Sequence, residues 1–160
     1  MSLDHESLLR LTFEIAHRAK SHGNMPFGAL LAGPGGEILL EEENAYFPDL
    51  DATAHAERLL ATRASKLYRE PVLAECTMYS SAEPCAMCAG AIYWVGIGRL
   101  VYGLSERRLK AMTGDHPDNP TMDLPCRDVF SAGQKSIEVI GPLLETEAEA
   151  VHLDAWQPTG

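Results

Sequence analysis

The chain has 160 residues, 46% apolar and 22% charged, with 23 acidic against 13 basic side chains for a net charge of −10. That length suits one domain burying about two-thirds of its unfolded surface, so residues 1–160 are expected to form a single unit. The acidic balance disfavours a nucleic-acid partner. No apolar run approaches the ~20 residues of a membrane span, and MSLDHESLLR lacks the basic start and apolar block of a secretory signal, so the expected location is the cytoplasm.

Leu8, Leu11, Ile15 and Ala19 recur at helical spacing, and with Asp4 as a cap they predict a first helix ending near Gly23. FGALLAG and EILLEE read as two strands around the turn cluster Gly33-Pro34-Gly35-Gly36, a pattern that favours an antiparallel hairpin. Residues 53–66 fit an amphipathic helix starting near Thr53. CTMYSS is a third strand, followed by Pro84 in the first turn of a helix that runs to about Val95. GRLVYG and SIEVIG supply a fourth and fifth strand. Between them TGDHPDNPTMDLP, residues 113–125, carries three prolines and suits an active-site loop. Residues 143–156 read as a closing helix. The alternation predicts a three-layer α/β/α domain, a five-stranded mixed sheet with helices on both faces.

Four cysteines are too few for a disulfide scaffold, and two of them form Cys85-Ala86-Met87-Cys88 directly behind a proline. Thirty residues earlier stands His55-Ala56-Glu57 at the start of the second helix. If the second and third helices begin beside adjacent strand ends, their N-termini converge and bring one imidazole and two thiolates to a single ion. Helix N-termini favour anionic ligands and lower thiol pKa values. Three N/S donors satisfy zinc and leave its fourth position for water, whose pKa then falls to about 7. Glu57, two residues from His55 and pointing elsewhere, is the candidate general acid/base. HxE followed by PCxxC is the signature of zinc nucleobase deaminases. Two other readings stand beside it. A closed structural zinc site would recruit Cys126, His116 or Cys76 as a fourth ligand, and a redox CxxC would leave HAE without a task. Cys76 otherwise reads as a buried small hydrophobe, and His5, His17, His22 and His152 as exposed residues without a role.

With these residues in hand, the chain resembles the cytidine-deaminase superfamily, and within it the guanine-deaminase and tRNA-adenosine-deaminase branch. Pro26-Phe27-Gly28-Ala29 is similar to the family's first-strand motif and Asn44 to its substrate-binding asparagine. TAHAE at 53–57 and EPCAMCAGAIYW at 83–94 are similar to its zinc segments. The resemblance implies a homodimer with one zinc ion per chain, held by His55, Cys85 and Cys88. It implies that Glu57 moves protons, that Asn44 and the Ala56 amide orient the ring while Phe27 offers it an apolar face, and that Trp156 closes over it or else anchors the last helix. AIYW resembles guanine deaminases, which carry a second acidic shuttle about thirty residues beyond the first cysteine. Asp115 stands at that spacing, Asp118 is its rival, and a solvated turn is the alternative for both. The implied activity is hydrolytic release of ammonia from a purine-like heterocycle, guanine or a related base or nucleoside. A tRNA-specific adenosine deaminase and a non-catalytic zinc module are the alternatives.

Overall fold

The computed structural model describes residues 3–153, 155 and 156. Helix α1 (His5–Ser21) begins where Asp4 Oδ1 accepts the Ser7 amide at 3.1 Å, as the capping residue predicts. Strands β1 (Gly28–Ala32) and β2 (Ile38–Glu43) form the expected antiparallel hairpin. Then come α2 (Ala56–Leu67), the short α3 (Glu70–Leu73), β3 (Thr77–Ala82), α4 (Ala86–Val95) and β4 (Arg99–Leu104). The chain continues through α5 (Glu106–Thr113), α6 (Cys126–Ser131), β5 (Glu138–Ile140) and α7 (Glu145–Ala150).

The sheet order is β2-β1-β3-β4-β5, with β1 antiparallel to both neighbours and β3, β4 and β5 parallel. Alternate side chains of the buried strands point to opposite faces. Ala29, Leu31, Met78, Leu100 and Tyr102 join Leu60, Ala89, Ile92 and Phe130 on the face covered by α2, α4 and α6. Leu30, Ala32, Tyr79 and Val101 join Leu9, Phe13, Leu109 and Ala148 on the face covered by α1, α5 and α7. Helices therefore sit on both faces of a five-stranded mixed sheet, as the sequence pattern implies. Parallel pairs require crossovers, so α4 links β3 to β4 while α5 and α6 link β4 to β5. Ala82 pairs with Leu104 at the carboxyl ends of β3 and β4, so the chains leading into α4 and α5 leave the sheet side by side.

Tertiary packing moved several predicted boundaries. The buried face of α1 is Leu9, Thr12, Phe13, Ile15, Ala16 and Ala19; Ile15 and Ala19 of the expected stripe belong to it, while Leu8 and Leu11 are half-buried. Helix α2 starts at Ala56 because the Thr53 hydroxyl bonds Asp51 at 2.7 Å rather than capping a helix. Pro84 lies just before the α4 cap residue, Cys85, and the fifth strand shrinks to three residues. Residues 114–125 are irregular, as their prolines dictate, yet α5 and α6 on either side carry too few turns for a periodic signal.

The predicted closing helix is shorter than 143–156: α7 ends at Ala150, and the chain then turns so that His152 enters the interior. His152 is thus a correction to its reading as an exposed residue; His17 and His22 are exposed, and His5 Nδ1 bonds the Tyr79 hydroxyl at 2.7 Å. His152 Nδ1 accepts Trp156 Nε1–H at 3.0 Å, and the two rings stack with planes 8° apart.

Gly28 marks the contact of α1 with β1. A Cβ there would lie 2.6 Å from the Thr12 carbonyl oxygen and 2.7 Å from the Ala16 amide nitrogen, both backbone atoms. Gly28→Ala is expected to destabilise the chain by about 1–3 kcal/mol, as overpacking does, read from the urea unfolding midpoint. An unchanged midpoint would contradict the contact. Burial lowers the His152 pKa from 6.5 to about 4. Between those values the unfolded chain binds a proton that the folded chain does not, so stability should fall as pH drops through the window, by about 3 kcal/mol in all. His152→Phe should flatten that slope in unfolding free energies measured from pH 7 to 4; an unaltered slope would assign it to other groups.

Candidate metal centre and active site

His55 is the N-cap residue of α2 and Cys85 that of α4, with Cys88 in the first turn of α4. Both caps have extended backbone, and neither side chain spends itself on a capping hydrogen bond. Helices α2 and α4 pack on one face of the sheet, so their N-termini meet. Cys85 Sγ lies 3.6 Å and Cys88 Sγ 3.5 Å from His55 Nδ1. One nitrogen and one sulfur bound tetrahedrally to the same zinc stand about 3.6 Å apart, given bonds of about 2.0–2.1 and 2.3 Å. The donors fit zinc in type and in spacing.

Among the described residues, the donor group consists of these three side chains. Cys76 points back to the Val72 carbonyl at 3.4 Å. Cys126 is buried against Glu83, which pushes its thiol pKa up after burial itself has done so. His116 packs edge-on against Trp156, with ring centroids 5.5 Å apart. Among the described residues, the three donors leave one position of a tetrahedron without a protein ligand.

The three donors also act on one another electrostatically. The Cys88 hydrogen bond, assisted by His55, holds Cys85 down at about 4, while Cys88 itself is shifted upward by that thiolate and by burial. The bond to Cys85 raises His55. Glu57, in the first turn of α2, is 5% exposed, and burial raises its carboxyl to about 7. A carboxyl poised there can both take and return a proton near neutral pH.

The other expected substrate groups lie on several segments. Ala56 opens α2 and is fully buried, so its amide is one of the N–H groups that a helix start leaves free. Asn44 is buried; its backbone N–H donates to the Phe27 carbonyl at 3.1 Å and its side-chain Oδ1 accepts Tyr46 N–H at 3.2 Å. The Ala45 amide bonds the Ala54 carbonyl at 3.0 Å, tying this segment to the His55 loop. Phe27 and Trp156 come together, with centroids 6.2 Å apart, in a group completed by His152 and His116. Asp115 and Asp118 are both exposed on the irregular loop.

Two carboxyl groups that the sequence reading passed over occupy the interior beside the centre. Glu83 is 7% exposed, and each oxygen accepts a backbone amide: Oε1 from Glu106 at 3.0 Å, Oε2 from Cys126 at 2.8 Å. It fastens the starts of α5 and α6 to the segment carrying Cys85. Glu106, the first residue of α5, is 9% exposed, and its carboxyl is raised to about 7 by burial first and then by the charges of Cys85, Glu83 and Glu57. A signal for both existed in EPC and in an acid placed where the fourth strand meets a capped helix, since Ser105 Oγ accepts the Arg108 amide. Glu83→Ala is expected to leave two buried amides unpaired and cost about 2–6 kcal/mol, read from chemical unfolding of the zinc-loaded protein. A cost under about 1 kcal/mol would mean water replaces the carboxylate.

The profile of the cytidine and deoxycytidylate deaminase zinc-binding region matches residues 2–104. The probable cytosine deaminase of Schizosaccharomyces pombe is 36% identical over 148 residues, 92% of this chain and 90% of that protein. The tRNA-specific adenosine deaminase of Haemophilus influenzae is 36% identical over 107 residues, covering 67% of this chain and 62% of its own length. The crystal structure of guanine deaminase from Bacillus subtilis superposes with a TM-score of 0.62 at 25% identity, over 98% of this chain and 97% of that one. The converging donor set and the matched profile lead to one conclusion: the chain belongs to the zinc-dependent cytidine and deoxycytidylate deaminase family.

Proposed function

We propose that this deaminase acts on an aminated purine-like heterocycle, guanine or a related base or nucleoside, and releases ammonia. The observation that carries the reading is the His55, Cys85 and Cys88 set at tetrahedral spacing with Glu57 buried beside it. When bound, zinc supplies a Lewis acid that brings the pKa of a water near 7. Overall, water adds to the ring carbon bearing the amino group, the exocyclic C–N bond breaks, a ring carbonyl forms and ammonia departs. Glu57 takes the proton from water and delivers it to the adjacent ring nitrogen, then carries the second proton to the leaving amine. The Asn44 Nδ2 and the Ala56 amide are donors for ring acceptors, and Phe27 with Trp156 gives the ring an apolar wall.

Guanine deaminase from Bacillus subtilis, aligned over almost all of both chains, supports the purine reading. A second reading, a cytosine-type pyrimidine, is favoured by the Schizosaccharomyces pombe relative. A tRNA substrate has a relative in its favour, but the net charge of −10 opposes it. We further place the protein in a reducing compartment, the cytoplasm, because its four cysteines are all free thiols. A homodimer is proposed too, supported by Trp94 on α4, which is 77% exposed and shares a surface cleft with Tyr68 and Pro71, and by exposed Val72 on α3 and Leu67 on α2.

Ammonia release by the zinc-loaded protein across guanine, guanosine, adenine, adenosine, cytosine, cytidine and pterins tests the substrate class. Turnover of guanine-like rings is the expected result, and turnover of cytosine alone would replace it with the second reading. Glu57→Gln should keep zinc, measured by metal analysis, and lose at least a hundredfold in rate, as removal of a general acid/base does. Full turnover in that variant would remove Glu57 from the chemistry.

A further inference from the structure

We propose that Glu106 is a substrate-binding residue, whose carboxylate accepts the ring N–H that flanks the reacting carbon in 2-amino-4-oxo heterocycles such as guanine, isocytosine and pterins. This deepens the purine-like reading above and rests on it.

The placement follows from the sheet. Ala82 and Leu104 are register partners at the carboxyl ends of β3 and β4, so Cys85 and Glu106 lie three and two residues beyond a shared rung. The Glu83 amide donates to the Leu104 carbonyl at 2.7 Å and the Glu106 amide donates back to Glu83 Oε1 at 3.0 Å, which closes the two segments on each other. Glu106 is held there on the first turn of an eight-residue helix, nine-tenths buried, within electrostatic reach of Cys85 and Glu57.

Its carboxyl makes no hydrogen bond or ion pair among the described residues. The neighbouring cations of α5 are committed elsewhere: Arg108 pairs with Glu145 and Glu149, and Lys110 lies 3.9 Å from Asp123. Arg107 is exposed. The contrast with Glu83 is direct, since both oxygens of that buried carboxylate are occupied. The Glu106 oxygens are absent from the fully buried unpaired atoms, so in the free protein they reach solvent and stay open to a donor that a ligand brings. In its ionised form this carboxyl only accepts hydrogen bonds, so the partner it takes is an N–H donor, and its negative surroundings favour one that is neutral or cationic.

The chemistry of the ring fits that demand. In guanine the amino-bearing carbon stands between a ring nitrogen that receives a proton and a ring N–H. Glu57 serves the first, and Glu106 accepts from the second. Cytosine and adenine present a carbon on that side, so they give Glu106 nothing to bind. Sites built to hydrogen-bond a donor reject analogues that lack it much more strongly than apolar sites reject a missing methylene.

Glu106→Met removes the acceptor at similar volume, and Glu106→Gln keeps an uncharged one. For guanine and isocytosine, kcat/KM should fall at least a hundredfold with Met and about tenfold with Gln, at one zinc per chain and an unchanged unfolding midpoint. Calorimetric binding of isocytosine to the Glu57→Gln protein should weaken in the same order when Glu106 is changed, while binding of cytosine should shift less than threefold. Wild-type-like guanine turnover by a folded, zinc-loaded Glu106→Met protein would overturn the assignment alone. The same loss from Asp115→Asn, with Glu106→Met silent, would return the role to the loop. A zinc-loaded wild type that releases ammonia from no base and binds none would overturn the underlying reading and this proposal together.

Discussion

The Glu83 carboxylate is the constraint on which the centre depends. Three segments far apart in sequence must meet within a few ångströms: the Cys85 turn, the start of α5 and the start of α6. Each brings a backbone amide or a chain turn into the interior, where an unpaired group is costly. One buried side chain with two acceptor oxygens resolves this by taking the amides of Glu106 and Cys126 while its own amide closes on Leu104. The metal-ligand segment is thereby clamped to the rest of the sheet's carboxyl edge.

The second requirement is the convergence of two helix N-termini. Parallel pairing of β3 and β4 with α4 as the crossover puts the α4 start at the carboxyl edge, and the packing of α2 against α4 on the same face puts His55 opposite it. Partial positive charge at both ends favours thiolates there. The same enclosure that excludes water raises Glu57 and Glu106 toward neutrality, so the features that hold a metal also tune the carboxyl groups near it. Phe27, Trp156, His116 and His152 form an aromatic group that joins the residue before β1, the irregular loop and the segment after α7.

Much of this was legible because it is written in local patterns. Alternating β3 and β4 residues, the glycine turn before β2, and His55, Glu57, Cys85 and Cys88 at their spacings each identify themselves without tertiary information. What stayed hidden depends on contacts between distant segments. His152 looks exposed in sequence because the helical pattern of 143–156 gives no hint that the chain turns after Ala150 to bury it against Phe27 and Trp156. Glu106 and Glu83 read as ordinary acids, since nothing local says that their segments leave the sheet side by side. Asp115 drew attention by its spacing alone, and spacing along a proline-rich loop fixes no position in space; both it and Asp118 lie exposed.

The proposed chemistry requires an open metal centre with three protein donors. X-ray absorption at the zinc edge of the loaded protein measures it most directly. The expected shell is two sulfurs at about 2.3 Å and two nitrogen or oxygen atoms at about 2.0–2.1 Å, with one of the light atoms exchanged when a base binds. A third sulfur, which would have to come from Cys76 or Cys126, would make the site closed and structural and would contradict the account.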